Sequence, residues 1–186
     1  IAFAFKENFE PRAWNSLFWI IMLFVAVNAI AKSFIGERSG QLLYQYNLVH
    51  PAAVISAKMI YNGLVMLCIA AVSLFFYFLF SGKQLSVWIK DPGYYFLLLG
   101  LGSMGFSVNL TLVAAIASKA RNKATMIAVL GFPLTIPLLL NSIKGCWQAM
   151  QGVARMKMLD EVAFSAGFIV IIATVSVILF PFLWRE

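Results

Sequence analysis

Five long apolar runs, separated by shorter polar stretches, set the outline of this chain. They cover about residues 13–35, 55–80, 94–117, 126–143 and 163–183. Each is close to the ~20 residues that a helix rising ~1.5 Å per residue needs to cross ~30 Å of hydrocarbon. Charged residues collect between the runs, and no linker divides the chain. The pattern therefore predicts an all-α integral membrane protein, a polytopic helical bundle forming one transmembrane domain over 1–186. The fourth run is the shortest and contains Pro133 and Pro137. Prolines survive in a span where neighbouring helices re-satisfy the freed carbonyls, so a kinked or broken helix packed inside the bundle is expected there. The first residues, Ile1 to Phe5, read as the end of an apolar helix. They raise the expectation that most of a preceding span is cut away.

The connections differ in kind. In segment 36–54, Leu42, Leu43, Tyr46, Val49 and Ala53 recur at helical spacing among polar residues. This predicts an amphipathic helix on the membrane surface over 37–54, with Pro51 bending the chain into the second span. Segment 118–125 packs three bases, Lys119, Arg121 and Lys123, into a tight loop. Segment 144–162 is long enough for a further interfacial helix.

Composition agrees with a bilayer setting. The chain is 62% hydrophobic and 11% charged, with mean hydropathy +0.90. Soluble domains carry about 25% charged residues, and a globular surface of this composition would precipitate. The net charge of +7 comes from bases flanking apolar runs, which read as topogenic charge and interfacial anchors rather than as a nucleic-acid surface. Trp14, Trp19, Tyr94, Tyr95, Trp147 and Trp184 are expected at the span rims. Bases divide evenly between the two sides, so the density of 119–123 decides the orientation: segment 36–58, loop 118–125 and the C-terminus cytoplasmic. Cys68 lies in a run and Cys146 in a predicted loop, without metal or CxxC spacing.

No catalytic constellation emerges. The single histidine, His50, has no second ligand at metal spacing and reads as interfacial. The sequence has no GxxxxGK[ST], GxSxG or HExxH. Polar residues within the runs include Asn28, Asn62, Ser73, Asn109, Thr111, Thr135 and Asn141, and no acid or base sits at a run's centre. Hydrogen-bond glue between helices is the simpler reading of the asparagines, and lining of a pathway the alternative. Gly100, Gly102 and Gly105 would permit close helix approach. With the spans chemically quiet, function falls to the elements outside them. Glu37, Arg38, Gly40, Leu42, Leu43 and Tyr46, with Lys119, Arg121 and Lys123 ahead of the Pro133/Pro137 span, form a candidate docking surface for a soluble partner.

Those same residues resemble a known family. Glu37-Arg38-Ser39-Gly40-Gln41-Leu42-Leu43, then Pro51, then Lys58 opening a span, resemble the first cytoplasmic segment of CcmB. Ala117 to Lys123, leading into Gly131-Phe132-Pro133-Leu134-Thr135-Ile136-Pro137-Leu138-Leu139, resemble that family's basic loop and its PLxIPLL-type span. Leu43 stands where the family often has an acid. The resemblance implies an ABC-2-like permease with six spans, five of them present here, in a bacterial inner membrane. It implies no enzyme activity, but coupling of ATP hydrolysis by a CcmA-like ATPase to haem export or haem-chaperone release in cytochrome c biogenesis. CcmC-like, CcmD-like and CcmE-like partners, and a homodimer or hetero-oligomer, follow from the same resemblance. Haem would be a transported or handled ligand and not a resident cofactor, since the tryptophan-rich motif of CcmC is absent. The rival readings are an ABC-2 permease for a drug or lipid-linked glycan, and a non-transporting membrane scaffold.

Overall fold

The computed structural model describes residues 10–35, 50–81, 89–118, 120 and 122–185. Within them the chain forms five helices: α1 Pro11–Ile35, α2 Pro51–Ser81, α3 Pro92–Ala117, α4 Lys123–Gln151 and α5 Arg155–Arg185. Each is long and apolar enough to span a membrane, and no strand occurs among the described residues. Successive helices alternate in direction, so the bundle has two ends. One carries loop 118–122 and the start of α2, and is called the basic-loop end below. The other carries the α4–α5 turn and is called the Gly152 end.

The centre of the bundle is α3. In its most apolar window 72% of residues are buried, against 11% in that of α5. From Gly102 to Ala117 only Met104 and Ile116 escape full burial. Hydrophobicity cannot select this arrangement, because lipid tails are as apolar as leucine and close packing must do the work. Glycines supply it. The indole of Trp19 on α1 fills the gap over Gly102, and Leu138 on α4 fills the gap over Gly105, where an added Cβ would lie 2.5 Å from its Cδ2. Gly100 faces open space, so of Gly100, Gly102 and Gly105 only the last two serve close approach. Trp19 also meets Phe106 edge-on at 5.7 Å. It is fully buried, not at a rim as expected, because the groove at Gly102 takes the whole ring. Trp14 and Phe18 each meet Tyr77 of α2 edge-on at 5.3 Å.

The span boundaries are longer than the apolar runs. α4 has 29 residues, a length of about 43 Å at ~1.5 Å per residue, more than the hydrocarbon requires. It takes in residues 144–151 of the segment expected to hold a separate interfacial helix, and α5 takes in 155–162. Gly152, at φ 70°, ends it in a left-handed turn: the Gly152 amide donates to Ala149 O and Gln148 O, and the Val153 amide donates to Gln148 O. This Schellman closure satisfies the terminal carbonyls and reverses the chain directly into α5. Cys146 accordingly sits buried in a helix and not in a loop, and both cysteines are free.

Two further expectations change. α4 runs unbroken through Pro133 and Pro137, and both prolines are exposed instead of packed inside. The reason is helical period: Gly131, Thr135, Leu138 and Ser142 form the buried stripe, and a two-residue step from it turns roughly 200° to the lipid face. At α2, Pro51 is the first helical residue, as its fixed φ favours. His50 caps the helix, its Nδ1 accepting from the Ala52 amide at 3.3 Å.

Gly105→Leu should cost about 1–3 kcal/mol by overpacking against Leu138. Gly100→Ala should leave stability unchanged or raised. Thermal unfolding in detergent compares the two, and equal loss in both would refute the packing assignment.

Candidate functional site

The spans hold two polar networks, one at each end of α3. Towards the basic-loop end, Asn62 of α2 donates to Thr111 Oγ1 at 2.9 Å, and the Ser107 hydroxyl donates to Met59 O at 3.4 Å. On the opposite side of α3, Asn109 donates to Thr135 Oγ1 of α4 at 2.9 Å. The Thr135 hydroxyl in turn donates to Gly131 O at 2.6 Å, within its own helix. Asn62, Ser107, Asn109, Thr111 and Thr135 are all buried. The asparagines thus act as ties between helices, and Asn28 turns back onto Phe24 O of its own helix. Asn109 Oδ1 remains buried without a hydrogen-bond partner.

The second network, at the Gly152 end, binds α5 to α3 and α4. Asp91 caps α3 by accepting from the Tyr94 amide at 3.3 Å. Its two oxygens accept from Arg155 Nε at 2.9 Å and Nη2 at 3.4 Å, and the guanidinium lies 6.0 Å from the Tyr94 ring centre. Hydrogen bonding from Arg155, with the Tyr94 amide, holds the Asp91 carboxyl below its usual range. Deeper along the α4–α5 seam, Lys144 pairs with Glu161 at 2.8 Å. The Glu161 side chain is only 3% exposed, whereas Lys144 is 66% exposed, so an exposed base pairs with a buried acid. Gln148 donates to Glu161 Oε1 at 3.2 Å. Asn141 donates both to Glu161 O and to Ser165 Oγ, each at 2.9 Å.

Sequence reasoning missed Glu161. The fifth apolar run was drawn from residue 163, whereas α5 begins at Arg155 and carries the acid into the packed seam. The available signal was spacing: Glu161 and Ser165 are four apart, on one helical face, and Lys144 and Gln148 share a face of α4 in the same way.

The docking surface drawn from the sequence falls largely outside the described residues. This holds for Glu37, Arg38, Gly40, Leu42, Leu43 and Tyr46, and for Lys119 and Arg121. Lys123 is the first residue of α4, and its side chain also lies outside the description. What the fold does fix is their flanks. Asn62 meets Thr111 towards the end of α3. Tyr77, near the end of α2, instead meets Trp14 and Phe18, whose neighbours Asn15 and Trp19 reach Ile143 and Gly102 on the Gly152 side. α2 is thus antiparallel to α3, and its start emerges where α3 ends. The α3–α4 turn is short: the Ser118 hydroxyl donates to Ala115 O at 2.7 Å and the Ala120 amide to Ala117 O at 3.0 Å. Among the described residues no group of three or more His, Cys, Asp or Glu could hold a metal ion.

Comparison with known proteins gives one match. The family model described as CcmB protein matches residues 8–184. No curated protein and no solved structure matches the chain.

A double-mutant cycle on Asn109→Ala and Thr135→Ala should return a coupling of about 0.6 kcal/mol, and at most ~1.7, the range for such bonds between membrane helices. Unfolding in mixed micelles measures it, and additive losses would remove the bond from the fold's support. A lowered Asp91 pKa means its pairing stabilises the protein fully above the unfolded carboxyl value of ~3.9 and is lost as pH falls through the lower folded value. Arg155→Gln should therefore lower stability at neutral pH while flattening its decline in acid, read from melting temperatures between pH 7 and 3.

Proposed function

The chain belongs to the CcmB family, and on that premise we propose that it is the membrane permease subunit of an ABC transporter complex that handles haem in cytochrome c maturation. The observation that carries this reading is the match over residues 8–184, nearly the whole chain. The sequence has no P-loop of its own, so ATP would be hydrolysed by a separate subunit. The complex would sit in the bacterial inner membrane, with an ATPase of the CcmA kind and membrane partners of the CcmC, CcmD and CcmE kinds.

In this reading the segment over 37–54, with Glu37, Arg38, Gly40, Leu42, Leu43 and Tyr46, seats against the ATPase, and Lys119, Arg121 and Lys123 border the same seat. The fold supports a mechanical role for it. The segment leads directly into α2, a helix of 31 residues that starts at Pro51. Within its first turns α2 is tied to α3 through Met59 and Asn62. The tie continues across α3 to α4 through Asn109 and Thr135. A displacement applied at the start of α2 would therefore reach the bundle's centre without an intervening flexible joint. The chain's own residues would supply leverage and a passage wall, and no reactive group.

Replacing Leu42 and Leu43 with Glu should abolish recovery of a P-loop ATPase with the tagged full-length protein, while membrane insertion and the melting temperature stay unchanged. A deletion strain should lose mature c-type cytochromes. Normal cytochrome levels in that strain would redirect the reading to another ABC-2 substrate, and intact ATPase recovery by the double variant would remove segment 37–54 from the interface.

A further inference from the structure

Glu161 is the one buried acid among the described residues, and its two oxygens are bonded unequally. Oε1 accepts twice, from the Lys144 ammonium at 2.8 Å and from Gln148 Nε2 at 3.2 Å. Oε2 is buried with no hydrogen-bond partner. The carbonyl oxygen of the same Gln148 amide, Oε1, is likewise buried and unpartnered. Nearly all buried polar atoms in folded proteins are hydrogen-bonded, so two unmatched acceptors on adjoining groups call for an explanation. Turning the amide over does not supply one, because its carbonyl would then face the carboxylate, acceptor against acceptor.

The two unmatched atoms have one remedy in common. They belong to groups already joined through Gln148 Nε2 and Glu161 Oε1. A proton on Oε2 turns it into the donor that the Gln148 carbonyl lacks. Carboxylic acid and primary amide then form a cyclic pair: the amide N–H donates to Oε1 as it does now, and the acid O–H donates to the amide carbonyl. Neutralising the acid also removes the attraction that holds Lys144. The Lys144 side chain is largely exposed and can leave into water as an ammonium ion, whereas the Glu161 backbone stays bound to Asn141.

We propose that Glu161 is a proton-binding site with two settings: ionised, it pairs with Lys144, and protonated, it closes an acid–amide ring with Gln148 and releases Lys144. The proton comes from water on the side by which Lys144 departs. An O–H bond forms at Oε2, and Lys144 keeps its own proton. On α4 the charged side chain that faces Glu161 is Lys144. On α5 the neighbours are Asp160, whose charge also acts on Lys144, and Lys157, both exposed, while Arg155 is held by Asp91. α3 meets the seam with Leu98 and carries no charged side chain after Asp91. The α4–α5 seam is bonded in both settings, so proton uptake frees a cation at the Gly152 end without unlocking α5.

Infrared difference spectroscopy of the full-length protein in lipid nanodiscs, titrated from neutral to acid pH, reads the C=O stretch of a protonated carboxyl group. The component missing in Glu161→Gln belongs to Glu161. Lys144→Gln should raise its midpoint by about 1 pH unit or more, the scale of a close counterion, and an unmoved midpoint overturns the pairing. Gln148→Leu should lower the midpoint, because the ring gives the protonated form a bond that the ionised form lacks. If Gln148 serves only the ionised form, or a water molecule joins the two acceptors, its loss raises the midpoint or leaves it in place, and the proposal falls. Glu161→Gln gives a separate reading, since its amide can donate to the Gln148 carbonyl as the acid does. It should melt no lower than the wild type in acid, and a lower melting temperature there overturns the ring.

Discussion

A hydrogen bond between an amide and a hydroxyl in hydrocarbon is the interaction on which this bundle turns. Asn109 reaches Thr135 on one side of α3, and Asn62 reaches Thr111 on the other. In water such bonds compete with solvent and apolar burial dominates association. In a bilayer the outside of a helix is already apolar, so burial confers little preference for one neighbour over lipid. What remains are directional bonds and the fit of side chains into gaps left by small residues. Both converge on α3, where Gly102 receives Trp19 and Gly105 receives Leu138. The burial of this helix from Gly102 onward follows from its having the bonds and the gaps.

The two polar networks divide the labour. Towards the basic-loop end, ties run from α3 to α2 and α4, and at the Gly152 end they run from α3 and α4 to α5. α1 is held in another way, by Asn15 donating to Ile143 O at 2.8 Å and by the rings of Trp14, Phe18 and Trp19. The aromatic contacts are edge-on, the geometry that ring quadrupoles favour. The prolines of α4 take no part in this, because they lie on the face turned away from α3.

The helices themselves were legible in the sequence, because ~20 apolar residues in a row have few other fates. Helix ends were less so. Hydropathy marks where the lipid stops, whereas α4 and α5 continue past it under the control of a single turn residue, Gly152. Drawing the fourth run to residue 143 and the fifth from 163 therefore hid the Lys144–Glu161 pair. The asparagines were visible as candidates, but their partners depend on which faces meet, and that is set by packing around Gly102 and Gly105. The orientation of Pro133 and Pro137 could have been read from helical period against Thr135 and Leu138. The family was legible from the Glu37–Leu43 segment and the Gly131–Leu139 stretch, and the match over residues 8–184 agrees with it.

The tight turn at Gly152 has a consequence for how the chain enters the membrane. A charged side chain carried towards a membrane without a partner is costly, and such groups are found paired with one another. Lys144 and Glu161 lie on opposite arms of the same hairpin, close enough in sequence to meet before any other helix has docked. Glu161 therefore need not wait for the finished bundle to find its counterion. The hairpin of α4 and α5 carries the counterion of Glu161 on its own first arm, so this acid is already paired when the two helices enter the bilayer together.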